Sequence, residues 1–225
     1  MTDVRVSEAI DSKVAKRAML SHPFYQAWTE GRLSLETLRA YARQYFHHVE
    51  AFPRAVSAAH SACEDREGRR MLAENLAEEE GVEAGKQDHA TLWLMFACGL
   101  GESEAGVRAQ ALNAETQALI DTFRRLSRHS YASGLGALYA YESQFPAVAA
   151  AKIEGLIERY GIEDEETLRF FRVHESADVE HGDVCRRLLD RLPEDQRGEA
   201  IAAGEELAGA LWNFLSGVEA TASVN

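Results

Sequence analysis

The sequence has little of what loop-rich, disulfide-bonded or membrane-spanning proteins require. Its 225 residues include only four prolines and three cysteines, and no two cysteines have CxxC spacing. An odd number of widely spaced cysteines argues against a disulfide framework and favours a reducing compartment, so we expect a cytoplasmic protein. No apolar run approaches the roughly 20 residues that span a bilayer. The N-terminus also lacks the apolar stretch of a signal peptide.

Basic residues are scarce relative to acidic ones. The chain has 24 Lys and Arg against 37 Asp and Glu, which gives a formal net charge of −13. Such a chain repels phosphate backbones and anionic lipid surfaces, so nucleic acid and membranes are poor candidate partners. The remaining composition, 46% hydrophobic and 27% charged, is typical of a globular protein that can bury one substantial core.

Signals for β-structure are also lacking. No Asn-Gly or Asp-Gly pair occurs, and apolar residues recur at three- and four-residue steps, which is the helical period. We predict one all-α domain over residues 1–225, with a core at about 8–217, built as a bundle of roughly seven or eight helices. The predicted helices cover residues 8–20, 34–63 (kinked before Pro53), 67–80, 88–101, 103–129, 134–160 (bent near Pro146), 164–192 and 193–217.

One stretch, "HESADVEH" at residues 174–181, places polar groups where a helix should be apolar. His174, Asp178 and His181 share a stripe because their spacing is close to the helical period. That stripe lies within the apolar face of the helix, where unpaired polar groups are costly. A bound iron, manganese or zinc ion would satisfy all three side chains. The alternative is a solvated face with an ion pair within the helix.

A second helix contributes a single carboxylate. Glu142 is the only acid before Glu154 in the otherwise apolar "GALYAYESQFPAVAAAKIEGL". A lone buried carboxylate is expensive unless it is paired or ligated. The alternative to metal binding is an ion pair with Lys152 or an arginine.

A third segment, "NLAEEEGVEAGKQDHATLW", contains clustered acids followed by His89. Most of these acids suit an exposed helix end, but one of them together with His89 would complete a set of three carboxylates and three imidazoles. Such a set suits two divalent ions, and dinuclear sites of this composition occur inside helical bundles. The Glu-x-x-His pairs of ferritin-like proteins are absent from these blocks.

Four blocks together, "HPFYQAW", "YARQYFHHVEAFPRAVSAAHS", "ALYAYESQFP" and "HESADVEH", closely resemble the CADD family, named for a chlamydial protein associating with death domains. The resemblance covers about residues 20–190. It implies a heme-oxygenase-like bundle, related to the oxidase of pyrroloquinoline quinone synthesis and to thiaminase-type proteins, with a dinuclear iron or iron/manganese centre. The implied ligands are Glu79 (with Glu78 and Glu80 as rivals), His89, Glu142, His174, Asp178 and His181.

The same resemblance implies a function. The family is implicated in making para-aminobenzoate, a folate precursor, by a self-sacrificing reaction that uses dioxygen and an external reductant. Tyr25 matches the tyrosine thought to supply the ring, and Lys152 matches the proposed nitrogen donor. Tyr41 and Tyr141 match tyrosines near the family's site, where they could relay an oxidising equivalent. We also expect a homodimer, because bundles of this kind often pair.

Three other functions remain open from the sequence. A dinuclear oxidase acting on a separate small molecule would use the same ligands. Thiaminase-like hydrolysis would need a nucleophilic cysteine, but Cys63, Cys98 and Cys185 are predicted to be buried in helices. A non-enzymatic module that binds a protein partner would need an exposed apolar face, and no predicted helix has an obvious one.

Overall fold

The protein is an all-helical bundle. The structure, a computed structural model, describes residues 5–222, without the side chains of residues 176–179 and 222. Within that range there is no β-strand, and no helix is both long enough and apolar enough to cross a membrane. The helices are α1 (Val6–Val14), α2 (Pro23–Thr29), α3 (Leu35–Ala62), α4 (Arg66–Glu79), α5 (His89–Gly99), α6 (Glu104–Arg108), α7 (Ala114–His129), α8 (Tyr131–Glu142), α9 (Phe145–Tyr160), α10 (Glu165–Asp190) and α11 (Glu194–Ala222).

Most helices begin where the sequence offers a capping side chain. In α3 to α8 and in α10, the residue before the helix accepts a hydrogen bond from a backbone N–H of the first turn, which would otherwise have no partner. The predicted cap of α3 is confirmed, since the Ser34 hydroxyl accepts from the backbone N–H of Thr37 at 3.0 Å. The capping residues are Ser34, Asp65, Asp88, Ser103, Asn113, Ser130 and Asp164.

Helix α8 lies at the centre of the bundle. All of its residues from Ala132 to Glu142 are buried, as expected for a helix that is apolar on every side. It packs most extensively against α11 and also contacts α3, α7 and α10. Small residues allow this close approach, because a Cβ placed on Gly136 would lie 2.1 Å from the carbonyl oxygen of Ala200.

Two predicted helices are each divided. The predicted helix 103–129 becomes α6 and α7, because the Gln44 side chain binds the connecting backbone at the Ala111 carbonyl (2.9 Å) and the Asn113 N–H (3.2 Å). The predicted helix 134–160 becomes α8 and α9, interrupted at residues 143–144 just before Pro146, which occupies the first turn of α9 as proline favours. Helix α3, in contrast, continues through Pro53.

The start of the chain also differs from the prediction. The predicted helix 8–20 ends at Val14 and is followed by two short 3₁₀ turns, Ala15–Arg17 and Met19–Ser21. One cysteine is placed differently as well, since Cys98 is exposed while Cys63 and Cys185 are buried.

The contact between α8 and α11 generates a stability prediction. We expect Gly136→Ala to lower the free energy of unfolding by about 1–3 kcal/mol, because the new methyl group overlaps rigid backbone. Denaturant unfolding measures this loss. Gly198→Ala is the matched control: a Cβ at Gly198 meets nothing within 4 Å, so the substitution should be neutral or stabilise by about 0.5–1 kcal/mol. Equal effects of the two variants would contradict the packing described here.

Candidate metal centre and buried tyrosine–lysine cluster

The predicted ligands come from four helices, several of them at helix ends. Glu79 ends α4, His89 begins α5 and Glu142 ends α8, while His174 and His181 lie in α10. All five side chains are buried, so the solvated-face alternative for residues 174–181 is wrong for the two histidines. Asp178 falls on residues 176–179, whose side chains lie outside the described part of the structure.

Three of these residues converge on one point. One ligand atom from each of Glu79, His89 and His174 lies within 4.8 Å of the other two. His89 Nδ1 is 2.8 Å from Glu79 Oε2, and the two imidazole ring centres are 4.2 Å apart. A carboxylate and two imidazoles at this spacing can bind one divalent transition metal ion.

The turn between α4 and α5 brings Glu79 to His89. Gly81 and Gly85 both have positive φ, 61° and 84°, a conformation that favours glycine. A Cβ on Gly81 would lie 2.4 Å from the backbone nitrogen of Asp88, so the turn leaves no room for a side chain at this position. Of the three rival glutamates, Glu79 is buried, Glu78 is half-buried and Glu80 is exposed.

The hydrogen bonding of His174 leaves one ring nitrogen suited to a metal. Nδ1 lies 2.7 Å from the carbonyl oxygen of Phe170. Because a carbonyl can only accept, Nδ1 carries the proton and Nε2 carries the lone pair, the arrangement common for metal-binding histidines. Burial, and then the neighbouring His89, hold the pKa of His174 well below 6.5, so the ring is neutral.

Glu142 and His181 are the other two predicted metal ligands whose side chains the structure describes. Glu142 Oε1 accepts from Asn75 Nδ2 at 2.8 Å, and Oε2 accepts from the Cys185 thiol at 3.0 Å. Burial raises the pKa of the Glu142 carboxyl. The ion pair between Glu142 and Lys152 that the sequence allowed is therefore wrong, because the partners of this carboxyl are an amide and a thiol. A cation beside the carboxyl would lower its pKa, whereas burial raises it.

The hydrogen bonds of Asn75 and Cys185 to Glu142 were not predicted from the sequence. Asn75 precedes Glu79 by four residues on α4, so helical spacing could have placed it on the same face. Cys185 follows His181 by four residues, but its contact with Glu142 joins α10 to α8 and cannot be seen in either helix alone.

The predicted tyrosines and lysine form a second buried cluster. Lys152 Nζ donates to Tyr41 Oη at 2.7 Å, and Tyr41 Oη lies 3.2 Å from Tyr25 Oη. Tyr25, Tyr41 and Lys152 have relative exposures of 2%, 0% and 0%. A continuous chain of hydrogen-bonding atoms therefore joins the amine to both phenols.

Lys152 is surrounded by rings. Its Nζ lies 5.0–5.5 Å from the centres of six aromatic rings. Burial holds the pKa of Lys152 well below 10.5 and so favours the neutral amine, which has a lone pair. The rings belong to Tyr25, Tyr41, Tyr45, Trp93, Phe145 and Phe171.

Tyr141 reaches the cluster through Tyr45. The two hydroxyl oxygens are 2.7 Å apart, and the Tyr45 ring stacks on Tyr41 with centres 5.3 Å apart. Tyr45 lies four residues after Tyr41 on α3, so the sequence already places both on one face.

A single layer of aromatic side chains separates the two clusters. The Phe145 ring centre is 5.1 Å from that of His174 and also 5.1 Å from Lys152 Nζ. Trp93 also lies between the two clusters, since its ring centre is 4.7 Å from that of Phe170 and 5.7 Å from that of Tyr41. The candidate metal centre and the candidate donor residues are thus neighbours in the core.

This fold and ligand set define a class of protein. Residues 39–213 match the family described as iron-containing redox enzymes. The bundle superposes with a TM-score of 0.80 on a TenA homolog from Pseudomonas syringae, covering 96% of this chain and 91% of that one at 18% identity. The chain belongs to this family of iron-containing redox enzymes.

Particular relatives are more similar. The chain is 40% identical over 211 residues to a 4-aminobenzoate synthase from Chlamydia pneumoniae, covering 93% of this chain and 92% of the relative. It is 37% identical over 223 residues to a 4-aminobenzoate synthase from Nitrosomonas europaea, covering 94% of this chain and 89% of the relative. A pyrroloquinoline-quinone synthase from Granulibacter bethesdensis is 26% identical over 224 residues, covering 96% and 85%.

The buried lysine generates a prediction on pH dependence. Because the folded pKa of Lys152 lies below its unfolded value, the unfolded chain binds more protons between the two values, and stability rises with pH in that window. Lys152→Met removes this dependence. We expect the variant to be more stable than wild type near pH 7, with an advantage that shrinks by up to about 1.4 kcal/mol per pH unit toward 10.5.

Denaturant unfolding of both proteins between pH 7 and 9.5 tests this expectation. The control is Lys16→Met, because Lys16 is exposed and loses no burial penalty on substitution. An advantage of Lys152→Met that does not change with pH would show that the amine is charged in the folded protein.

Proposed function

We propose that this chain makes 4-aminobenzoate in an oxygen-dependent reaction at a dinuclear metal centre, with Tyr25 as the source of the ring and Lys152 as the source of the nitrogen. The observation that carries the proposal is the buried hydrogen-bonded chain from Lys152 through Tyr41 to Tyr25 beside the ligand set. The names of the relatives support the product. As further parts of the proposal, the protein is a cytoplasmic homodimer that supplies a folate precursor.

The described ligands fit a metal centre. Glu79, His89 and His174 would hold one ion, and Glu142, His181 and Asp178 would complete a second position. Two buried carboxylates close to three imidazoles call for positive charge, which divalent ions would provide. A bound pair of iron ions, or of iron and manganese, supplies the one-electron chemistry with dioxygen that side-chain oxidation needs.

Lys152 is prepared to act as a nucleophile. Burial among rings lowers the pKa of its amine and so favours the neutral form, and desolvated lysines of this kind are reactive. Its Nζ is held at the Tyr41 hydroxyl, which in turn contacts the Tyr25 hydroxyl. This chain of contacts, which leads from Nζ to the phenol end of the Tyr25 ring, supports Lys152 as the nitrogen donor.

The atoms of Tyr25 and Lys152 account for the product. The ring and Cβ of a tyrosine have the carbon skeleton of 4-aminobenzoate. The conversion breaks the Cα–Cβ bond, which leaves a hydrogen on Cα, and oxidises Cβ to a carboxylate with oxygen from dioxygen. Nζ condenses with the oxidised ring at the phenolic carbon, whose oxygen leaves as water, and hydrolysis of the Cε–Nζ bond after oxidation of Cε leaves Lys152 as an aldehyde. Dioxygen is the oxidant, and an external reductant provides the remaining electrons. Each chain is consumed once.

The main rival is a dinuclear oxidase that turns over a separate small molecule. Tyr25 and Lys152 are fully buried, so such a substrate would have to displace packed side chains to reach them. The rival predicts many products per chain and an intact Tyr25, whereas self-sacrifice predicts no more than about one product per chain. Counting products therefore separates the two functions.

The donor assignment is tested with labelled protein. A chain grown with ring-¹³C tyrosine and ¹⁵N lysine, loaded with iron and manganese and exposed to oxygen and a reductant, should release 4-aminobenzoate carrying both labels. Tyr25→Phe should reduce the product at least about 100-fold, because the ring has lost its oxygen. The matched control is Tyr160→Phe at the edge of the aromatic core, which should retain most of the product. Unlabelled product from labelled chains would disprove the assignment.

The metal part has its own test. Wild-type protein loaded with iron and manganese and then desalted should retain about two ions per chain. His174→Ala should retain about one or fewer, because Nε2 is the only nitrogen of that ring free of the Phe170 contact. His129→Ala, at an exposed histidine, should retain the wild-type amount. A wild-type chain that holds no metal would contradict the proposed centre.

A further inference from the structure

A pocket of about 610 Å³ opens beside the candidate metal centre. Its lining includes His89 and His181, one residue from each half of the ligand set, and the buried Asn75. The pocket therefore extends from the protein surface to the ligands. A buried metal centre needs such a path, because the ions must pass from solvent to side chains that are themselves inaccessible.

The charge of the pocket favours cations. Its lining carries four glutamates against one lysine and one arginine. A cleft lined mostly by one sign of charge raises the local concentration of the opposite sign and its rate of arrival. The charged lining residues are Glu74, Glu78, Glu83, Glu180, Lys86 and Arg169.

Asn75 provides an observation independent of the acidic residues. Its side chain is 1% exposed and lines the pocket, and its Nδ2 donates to Glu142. Its Oδ1 has no hydrogen-bond partner among the described residues. An unpartnered buried carbonyl oxygen is costly, and oxygen ligands of this type suit divalent ions. The pocket thus offers a neutral oxygen next to one of the candidate ligands.

Glu78 stands at the inner boundary of the pocket. Its Oε2 is 3.1 Å from His181 Nε2, and its side chain is 26% exposed while that of His181 is 7% exposed. Metal–ligand bonds of about 2.0–2.2 Å at a right angle separate the ligand atoms by about 3 Å, so one ion can touch both groups. Glu78 is placed to bind an incoming ion before the buried histidine does.

Lys86 competes for the same carboxylate. Its Nζ is 3.8 Å from Glu78 Oε1 and 2.9 Å from Glu83 Oε2, and its side chain is 47% exposed. A divalent ion that enters the pocket must displace this ammonium group from Glu78. Lys86 therefore opposes cation entry in the same place where Glu78 promotes it.

From this arrangement we infer that the pocket is the entry route for divalent cations and that Glu78 is a transfer ligand that passes each ion to His181. Lys86 slows the transfer by neutralising Glu78. The inference rests on the metal-binding part of the proposed function, and it assigns to Glu78 a role in loading rather than in holding the bound ions.

The rate of metal uptake tests the inference without using activity. Metal-free protein is mixed with Mn²⁺ under anaerobic conditions, and the decay of the free Mn²⁺ electron paramagnetic resonance signal gives the uptake rate. Bound manganese at equilibrium is then quantified after desalting. Glu78→Gln should slow uptake and Lys86→Gln should speed it, each by about two- to ten-fold, with equilibrium manganese unchanged. Wild-type uptake should also slow as ionic strength rises.

The controls remove the same charges at a distant ion pair. Lys13 Nζ lies 2.8 Å from Glu205 Oε2, and neither residue lines the pocket, so Glu205→Gln and Lys13→Gln should leave uptake unchanged. A wild-type rate for Glu78→Gln would overturn the route. So would loss of bound manganese at an unchanged rate, because Glu78 would then be a permanent ligand. Failure of wild type to bind Mn²⁺ or Fe²⁺ would instead contradict the proposed metal centre.

Discussion

The desolvation of ionisable side chains in the centre of the bundle constrains the rest of the structure. Glu79, Glu142 and Lys152 are each at most 3% exposed, and an isolated buried charge is too expensive to maintain. The protein resolves this cost in two ways. On one side, carboxylates and imidazoles converge, so that bound cations could compensate the carboxylates. On the other, burial among rings lowers the pKa of the Lys152 amine and favours its uncharged form.

Both solutions depend on where helices begin and end. Glu79, His89 and Glu142 are terminal residues of α4, α5 and α8, and a helix end can place a side chain in the core while the chain turns away. The tight turn at Gly81 joins the first two of these residues. The interruption at residues 143–144 ends α8 at Glu142 and begins α9 at Phe145, and Lys152 of α9 lies in the aromatic cluster.

Helical spacing explains how much of this could be predicted. His174 and His181 share a face within one helix, so the stripe was visible in "HESADVEH", and the lone Glu142 was conspicuous in an apolar segment. The position of Lys152 relative to Glu142 could not be calculated, because the helix breaks between them. Likewise, the division between α6 and α7 depends on hydrogen bonds from Gln44, which lies far away in sequence. Glu79 could not be distinguished from Glu78 and Glu80 as the first ligand by sequence, because the distinction depends on the geometry of the turn between α4 and α5.

The two clusters differ in their access to solvent, and this difference agrees with the proposed reaction, in which each chain would be consumed. Metal ions must be loaded from outside, so their ligands border an acidic pocket. Under the proposed function Tyr25 and Lys152 would need no path from solvent, and both are packed among aromatic rings. Burial there lowers the pKa of the Lys152 amine, and it would protect an oxidised ring from side reactions. One aromatic layer, with Phe145 in contact with His174 and Lys152, separates the ligands that border the pocket from the buried tyrosine–lysine cluster.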